Sequence, residues 1–301
     1  MHDKVKIWLK AFRLRTLPLA LSSTFLGSFM AFSHDNFKWS VFVFAVLTTL
    51  SLQILSNLAN DYGDAKKGTD NVNRLGPQRV TQTGIVSYSA IKSMIGVFIL
   101  LSLFSGTALI YFGLRQLPFY ISVLFFIIGI SAIYASIKYT VGRNPYGYVG
   151  LGDIFVYLYF GIVGVCGTFY LHAGYIDPWI IMPASTIGLF SSGVLNLNNL
   201  RDFVNDSNCG KRTLVVRIGV KAAKYYHLFL VIFAVLLSII YTVIFFKSPV
   251  QLLFMITLPF LLKDIHRVMR NTVPIELNSE LKKLALTTFV FSVTFGLGLI
   301  L

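Results

Sequence analysis

Asparagine and aspartate recur with one spacing in two distant stretches of the chain. Residues 57–71, "NLANDYGDAKKGTDN", contain Asn60-x3-Asp64, with Asp61 beside the pair and Asp70 beyond it. Residues 196–214, "NLNNLRDFVNDSNCGKRTL", contain Asn198-x3-Asp202, followed by Asp206. Residues four apart stack on one helix face, so a helix running through either motif would show one polar stripe. Two carboxylate sets that face each other repel unless a cation lies between them. Oxygen ligands that leave room for water and phosphate are what Mg²⁺ takes. Basic residues trail both motifs: Lys66, Lys67, Arg74 and Arg79 after the first, Lys211, Arg212 and Arg217 after the second. Such cations favour a phosphorylated ligand. The chemistry expected is a magnesium-bridged diphosphate. Asn and Asp also cap helices and build turns, and "GTDN" alone fits a turn. That reading poorly explains two matched motifs, each with its own basic tail.

The elements that must position these acids are membrane helices. The 301 residues are 55% hydrophobic and 15% aromatic, with 13% charged and a mean hydropathy of +0.72. A soluble domain carries about 25% charged residues, and roughly 20 apolar residues cross a bilayer. Nine such stretches are expected, at 16–33, 39–60, 90–113, 118–138, 152–172, 178–199, 225–246, 249–263 and 285–301. The runs are continuous, without the alternation of a barrel, so the fold class is an all-α polytopic membrane protein. A soluble bundle of buried helices is the weaker alternative. Alternating the connectors between two sides puts 23 of the 26 Lys and Arg on one side, leaving Lys38, Arg115 and Lys247 on the other. This is positive-inside asymmetry. It predicts a multi-pass protein of the cytoplasmic (inner) membrane with its N-terminus and acidic motifs cytoplasmic. Topology thereby accounts for the net charge of +14 without a nucleic-acid partner. The basic N-terminal tail (Lys4, Lys6, Lys10, Arg13 and Arg15) is not followed by a convincing cleavage site. Cys166 and Cys209 are too few for a disulfide framework and are expected reduced. The acids close the second and sixth spans, four spans apart. Two parallel four-helix halves with one helix over are therefore expected, in one domain across 1–301.

The paired motifs resemble those of the UbiA superfamily of intramembrane aromatic prenyltransferases. "NDYGDAKKGTDN" with "NNLRDFVNDSNCGKRTLVVRIG" is similar to the branch that acts on 1,4-dihydroxy-2-naphthoate in menaquinone synthesis. "RLRTLPLALSSTFLGS" (13–28), "GPQRVTQTGIVS" (76–87) and "YTVGRNPYGYVGLGDIFVYLYFG" (139–161) resemble its opening span and its first and middle cytoplasmic loops. The resemblance implies nine helices around a central cavity open sideways to lipid. It also implies two Mg²⁺ ions and a polyprenyl diphosphate donor; Mn²⁺ is an alternative because carboxylate clusters suit hard cations. The metal ligands expected are Asn60, Asp64, Asp70, Asn198, Asp202 and Asp206. Many members space their first acids as Asp-x3-Asp, whereas Asp64 and Asp70 stand six apart, which leaves Asp61 and Asp70 as alternative ligands. Lys67, Arg74, Arg79, Lys211 and Arg212 are candidates for the diphosphate, each also readable as a topology charge. Lys138 is a further one, because Tyr134-x3-Lys138-x-Thr140 resembles a superfamily motif closing the fourth span. Tyr139 and Arg143 belong to the middle loop of the branch. Asp153 either caps the fifth span or places or deprotonates the aromatic acceptor. Arg15 either anchors the first span or meets an acceptor carboxylate. The five histidines show no ligand spacing.

A transporter is a rival class, but its polar residues should spread across the membrane thickness, and here the acids gather at one face. Membrane alcohol phosphotransferases open one acidic motif with Asp-Gly, a pair this chain lacks. Within the superfamily the alternative acceptor is 4-hydroxybenzoate or another quinone precursor.

Overall fold

The computed structural model describes residues 2–82 and 84–301, with side chains from residue 6 onward. Lys4 of the basic tail therefore has its side chain outside the described residues. Among those described, every regular element is helical. Seven segments are long and apolar enough to cross a bilayer. They are α3 (Trp39–Lys66), α4 (Tyr88–Leu114), α5 (Phe119–Lys138), the composite Gly152–Ala173, Pro178–Arg201, α10 (Leu214–Ile244) and Pro274–Ile300. The composite joins α6 (Gly152–Val156) through a ten-residue π-helix, Tyr157–Cys166, to α7 (Gly167–Ala173). Its successor contains α8 (Ile181–Arg201), and the last contains α12 (Leu277–Ile300).

The other two expected spans are present as shorter helices. Sixteen residues make up α2 (Leu17–Phe32), about 24 Å at 1.5 Å per residue, less than the roughly 30 Å hydrocarbon core. The eighth is a 3₁₀ turn set, Pro249–Thr257, leading into α11 (Leu258–Arg270). The tail also folds, as α1 (His2–Phe12), where only a charged extension was expected. Apolar Ile7, Trp8 and Phe12 pack that helix against Leu55, Leu58 and Phe98.

Packing joins neighbours within each expected half and also crosses between the halves, α2 lying on the π segment and α7. In the first, α2 lies on α3, α3 on α4, and α5 on both α3 and α4. In the second, the π segment lies on α8, α8 on α10, and α10 on α11. The ring closes where α12 packs on α2 and α8. Lipid offers no hydrophobic drive for helix pairing, so small residues that let backbones approach mediate it. A Cβ on Gly161 would lie 2.7 Å from Ala184 O, and one on Gly188 would lie 2.9 Å from Tyr157 O. Ser23 of α2 donates to Phe160 O of the π segment.

Two helix ends matter for the acids. The helix α3 runs six residues past the expected 60, so Asn60, Asp61 and Asp64 all stand on helical backbone. By contrast α8 stops at Arg201, Asp202 leaves helical geometry (φ −94°, ψ 10°), and α9 (Phe203–Asn208) begins anew. The expected unbroken stripe through Asn198, Asp202 and Asp206 is thus jointed at its middle residue. Hydrogen bonds Asp202 N to Asn198 O (3.2 Å) and Asp206 N to Asp202 O (2.8 Å) still carry the four-residue register across the joint.

Candidate functional site

Both acidic motifs meet in one buried cluster threaded by basic side chains. Asp61, Asp64, Asp202 and Asp206 are each at most 4% exposed, and Asp70 is 9% exposed. Arg79 Nη1 lies 2.8 Å from both Asp64 Oδ2 and Asp70 Oδ2, and its Nε is 3.5 Å from Asp61 Oδ1. Arg13 donates to Asp61, and Arg201 donates to both oxygens of Asp202. Two cations cross between the motifs. Arg74 Nε is 3.4 Å from Asp70 Oδ1 and 3.6 Å from Asp202 Oδ2. Lys211 Nζ is 3.9 Å from Asp64 Oδ2 and 3.8 Å from Asp206 Oδ1. The mutual repulsion expected of facing carboxylates is relieved by guanidinium and ammonium groups.

Electrostatics divide the acids outside the spans into two kinds. Burial pushes the Asp70 carboxyl up to about 6 against the pull of Arg79, and burial likewise raises Asp206 to about 6 against Lys211. Burial also opposes ionisation of Asp202, but Arg201, Arg74 and Lys211 outweigh it and hold that group below the usual carboxylate range. Arg74 falls to about 10, because it is buried beside Arg79. Burial acts the same way on Arg79, yet Asp64, Asp70 and Asp61 raise it above the ordinary arginine value.

The fit of a hard cation rests on what the acids lack. Both Asp70 oxygens and Asp206 Oδ2 are buried without an aligned hydrogen bond. These oxygens have at most ion-pair contacts and no aligned donor, and carboxylate oxygens are the donors that Mg²⁺ takes. Among the described residues no three acids, histidines or cysteines converge as a ready ligand set. The chemistry of the donor set, carboxylate oxygens of Asp70 and Asp206 with no aligned donor, suits a divalent ion. Asn60 and Asn198 oxygens are meanwhile occupied, by Thr140 Oγ1 at 3.3 Å and by Arg201 Nη2 at 2.8 Å.

Other expected residues divide into those brought to this cluster and those that are not. Lys67 reaches it through Tyr148, its ammonium lying 5.1 Å from that ring. Arg15, with Lys10, Arg13, Arg74 and Arg79, lines an adjoining pocket of about 280 Å³ that opens beside Asp61. Arg212 contributes its backbone N–H to Tyr148 O at 3.1 Å, while its side chain is exposed. Arg143 is exposed on the middle loop. Tyr134 is 64% exposed on α5, so it does not face the acids. Lys138 folds back over Gly142, where an added Cβ would sit 3.2 Å from its Nζ. Tyr139 packs edge-on against Tyr146, with centroids 5.3 Å apart. Asp153 is 6% exposed and stands in the first turn of α6, without a side-chain capping hydrogen bond. Leu151 holds the cap position of α6, and Asp153 Oδ1 accepts from Tyr226 at 3.3 Å.

Sequence reasoning missed four contributors. Arg13 and Arg201 were read as topology charges, although Arg201 adjoins Asp202. Asn205 Nδ2 donates to Thr69 O at 2.9 Å, tying α9 to the first loop. Tyr148 donates to Asp64 Oδ1 at 2.8 Å. Its only signal was a place in the Gly- and Pro-rich string "NPYGYVG".

Fold and site define an intramembrane protein that gathers acids and bases from two halves at one end of a helical ring. Residues 20–298 match the UbiA prenyltransferase family. The chain belongs to that family. It is 41% identical to a 1,4-dihydroxy-2-naphthoate octaprenyltransferase of Haemophilus influenzae, covering 100% of this chain and 98% of that one. A protein of the same description from Escherichia coli is 38% identical, covering 99% and 96%. The fold is shared with a UbiA homologue from Archaeoglobus fulgidus solved with GPP and Mg²⁺. That likeness has a TM-score of 0.62 at 16% identity and covers 97% of this chain and 99% of the other.

Proposed function

We propose that this chain, as one domain across 1–301, transfers a polyprenyl group from its diphosphate to 1,4-dihydroxy-2-naphthoate with loss of CO₂. The product is demethylmenaquinol, for menaquinone biosynthesis. The observation that carries the reading is the meeting of two acidic motifs around buried basic groups, with carboxylate oxygens on Asp70 and Asp206 that accept no aligned hydrogen bond. The naphthoate and octaprenyl words in the relatives' names, both spanning nearly the whole chain, support the acceptor and the prenyl donor.

Asp64, Asp70, Asp202 and Asp206, with Asn60 and Asn198, would hold Mg²⁺, in two ions as the twin motifs suggest. Mg²⁺ when bound supplies Lewis-acid stabilisation of the leaving diphosphate. Asp61, the alternative ligand in the first motif, is paired with Arg13. Arg74, Arg79, Lys67 and Lys211 neutralise the charge that grows on the diphosphate oxygens as the allylic C–O bond breaks. The naphthoate carbon that bears the carboxylate attacks the allylic carbon, forming the new C–C bond. The C–COO⁻ bond then breaks, and its electron pair restores the aromatic ring as CO₂ departs. Arg15 and the pocket beside it suit the acceptor carboxylate. Asp153, held by Tyr226, suits an acceptor hydroxyl. Water must be kept from the allylic cation, a task for the apolar helix walls. The active face is cytoplasmic, in the cytoplasmic (inner) membrane.

The test is a product assay with purified protein, Mg²⁺ or Mn²⁺, a long polyprenyl diphosphate and the naphthoate. A decarboxylated prenyl naphthoquinol is expected, with no product after chelation. Prenylation of 4-hydroxybenzoate with none of the naphthoate would overturn the acceptor and leave the donor chemistry standing.

A further inference from the structure

Tyr148, which neither acidic motif marks, touches both motifs' side of the site through four side chains, Asp64, Thr69, Lys67 and Lys211. It ends a single 3₁₀ turn, Tyr146–Tyr148, in the loop after α5. That turn is pinned: Gly147 N donates to Tyr139 O at 3.0 Å, and a Cβ on Gly147 would lie 2.6 Å from the same oxygen. Gly150, two residues on, takes φ +75°, a conformation glycine adopts freely. The Tyr148 hydroxyl lies 2.8 Å from Asp64 Oδ1 and 2.6 Å from Thr69 Oγ1. A carboxylate only accepts, so the phenol donates to Asp64 and the Thr69 hydroxyl donates to the phenol. That chain fixes which way Asp64 faces. The ring does something else. Lys67 Nζ lies 5.1 Å and Lys211 Nζ 5.3 Å from its centroid, inside the roughly 6 Å range of a cation–π contact. One lysine comes from each half of the molecule.

We propose that Tyr148 is a positioning residue with two separable duties: its hydroxyl orients Asp64 toward the metal, and its ring holds the two ammonium groups for the diphosphate. This rests on the reading above that Asp64 holds Mg²⁺. The two duties part under substitution, because phenylalanine keeps the ring and loses only the hydroxyl. Lost charge-assisted hydrogen bonds and cation–π contacts differ in size, so the two variants differ in what they change.

Mn²⁺ binding to the detergent-solubilised protein, followed by electron paramagnetic resonance, reads the first duty without turnover. Tyr148→Phe should weaken it about tenfold, while KM for polyprenyl diphosphate at saturating Mg²⁺ stays within about twofold of wild type. Tyr148→Leu should show the same loss of Mn²⁺ and also raise that KM, by about threefold to fivefold. The added KM effect should disappear when Leu is introduced beside Lys67→Ala and Lys211→Ala, since the ring would then have nothing to hold. Unchanged Mn²⁺ binding in Tyr148→Phe, with binding lost in Asp64→Asn, overturns this inference alone. So does a KM that Phe and Leu raise equally, or a Leu effect that persists without the lysines. Intact Mn²⁺ binding in Asp64→Asn overturns the metal reading itself.

Discussion

At the scale of single residues, the acids fall into those that accept an aligned hydrogen bond from a guanidinium and those that only lie near their cations. Asp64 and Asp202 each hold short contacts to a guanidinium, and each sits where the two motifs face one another. Asp64→Asn and Asp202→Asn should each lower turnover at least about a hundredfold, as loss of a main electrostatic contributor does, while the protein still folds and inserts. Near-normal turnover in either would remove that residue from the metal set. Asp70 and Asp206 are of the other kind. A carboxyl whose folded pKa lies near 6, above an unfolded value near 4, leaves the native state holding more protons. Stability then falls as pH rises between about 4 and 6. Asp202, shifted the opposite way, acts below that window. Metal-free protein in detergent should melt higher at pH 5 than at pH 6.5, and combining Asp70→Asn with Asp206→Asn should flatten the difference. A wild-type melting temperature that climbs through this window would show both carboxyls ionised throughout. The recurring Asn-x3-Asp pair was legible because it is a local pattern. The bond from Arg13 to Asp61 spans 48 residues and that from Tyr148 to Asp64 spans 84. Only packing reveals such partners, so neither could be read from spacing.

At the scale of elements, apolar runs located the helix interiors well and their ends poorly. A run of lipid-like residues says where hydrocarbon begins, whereas α3 continues to Lys66 because Asp61 and Asp64 find buried cations there. In the same way α10 starts at Leu214, eleven residues before the expected 225, its first turns being basic and its backbone broken at Gly219. The tail helix α1 was hidden by its charges, although Trp8 and Phe12 are four apart and their rings approach to 6.1 Å. A tight crossing also positions the acids. Gly63 sits between Asp61 and Asp64, and a Cβ there would lie 2.5 Å from Thr140 Oγ1 and 2.8 Å from Thr140 C. Gly63→Ala should push the end of α5 away from α3 and cut activity at least about tenfold with a loss of about 1–3 kcal/mol in stability. Activity and melting temperature both at wild-type values would mean that this crossing yields freely. Gly188→Ala, against the π segment, should lower the melting temperature by a similar mechanism and serves as the comparison away from the acids.

For the whole molecule, the uneven distribution of basic residues makes the orientation testable. In a background without Cys166 and Cys209, single cysteines at Lys67 and Lys211 should label only from the cytoplasmic side, and at Lys38 and Lys247 only from outside. Opposite sides for Lys67 and Lys211 would contradict their shared position around Tyr148. The cluster between the halves has a further consequence, for how the chain is assembled. Asp61, Asp64 and Asp70 are met by Arg13, Arg74 and Arg79, all within the first 79 residues, and Asp202 and Asp206 by Arg201 and Lys211. Each half thus arrives at the bilayer with its own counter-ions, three against three and then two against two. Nothing in the first half waits, exposed and uncompensated, for the second to be synthesised. The meeting of the halves adds the crossing contacts, among them Arg74 to Asp202, Lys211 to Asp64 and Asn205 to Thr69. Fragments 1–143 and 144–301, produced together from separate reading frames, should therefore each insert and then find one another, co-purify, and recover prenyl transfer that neither performs alone.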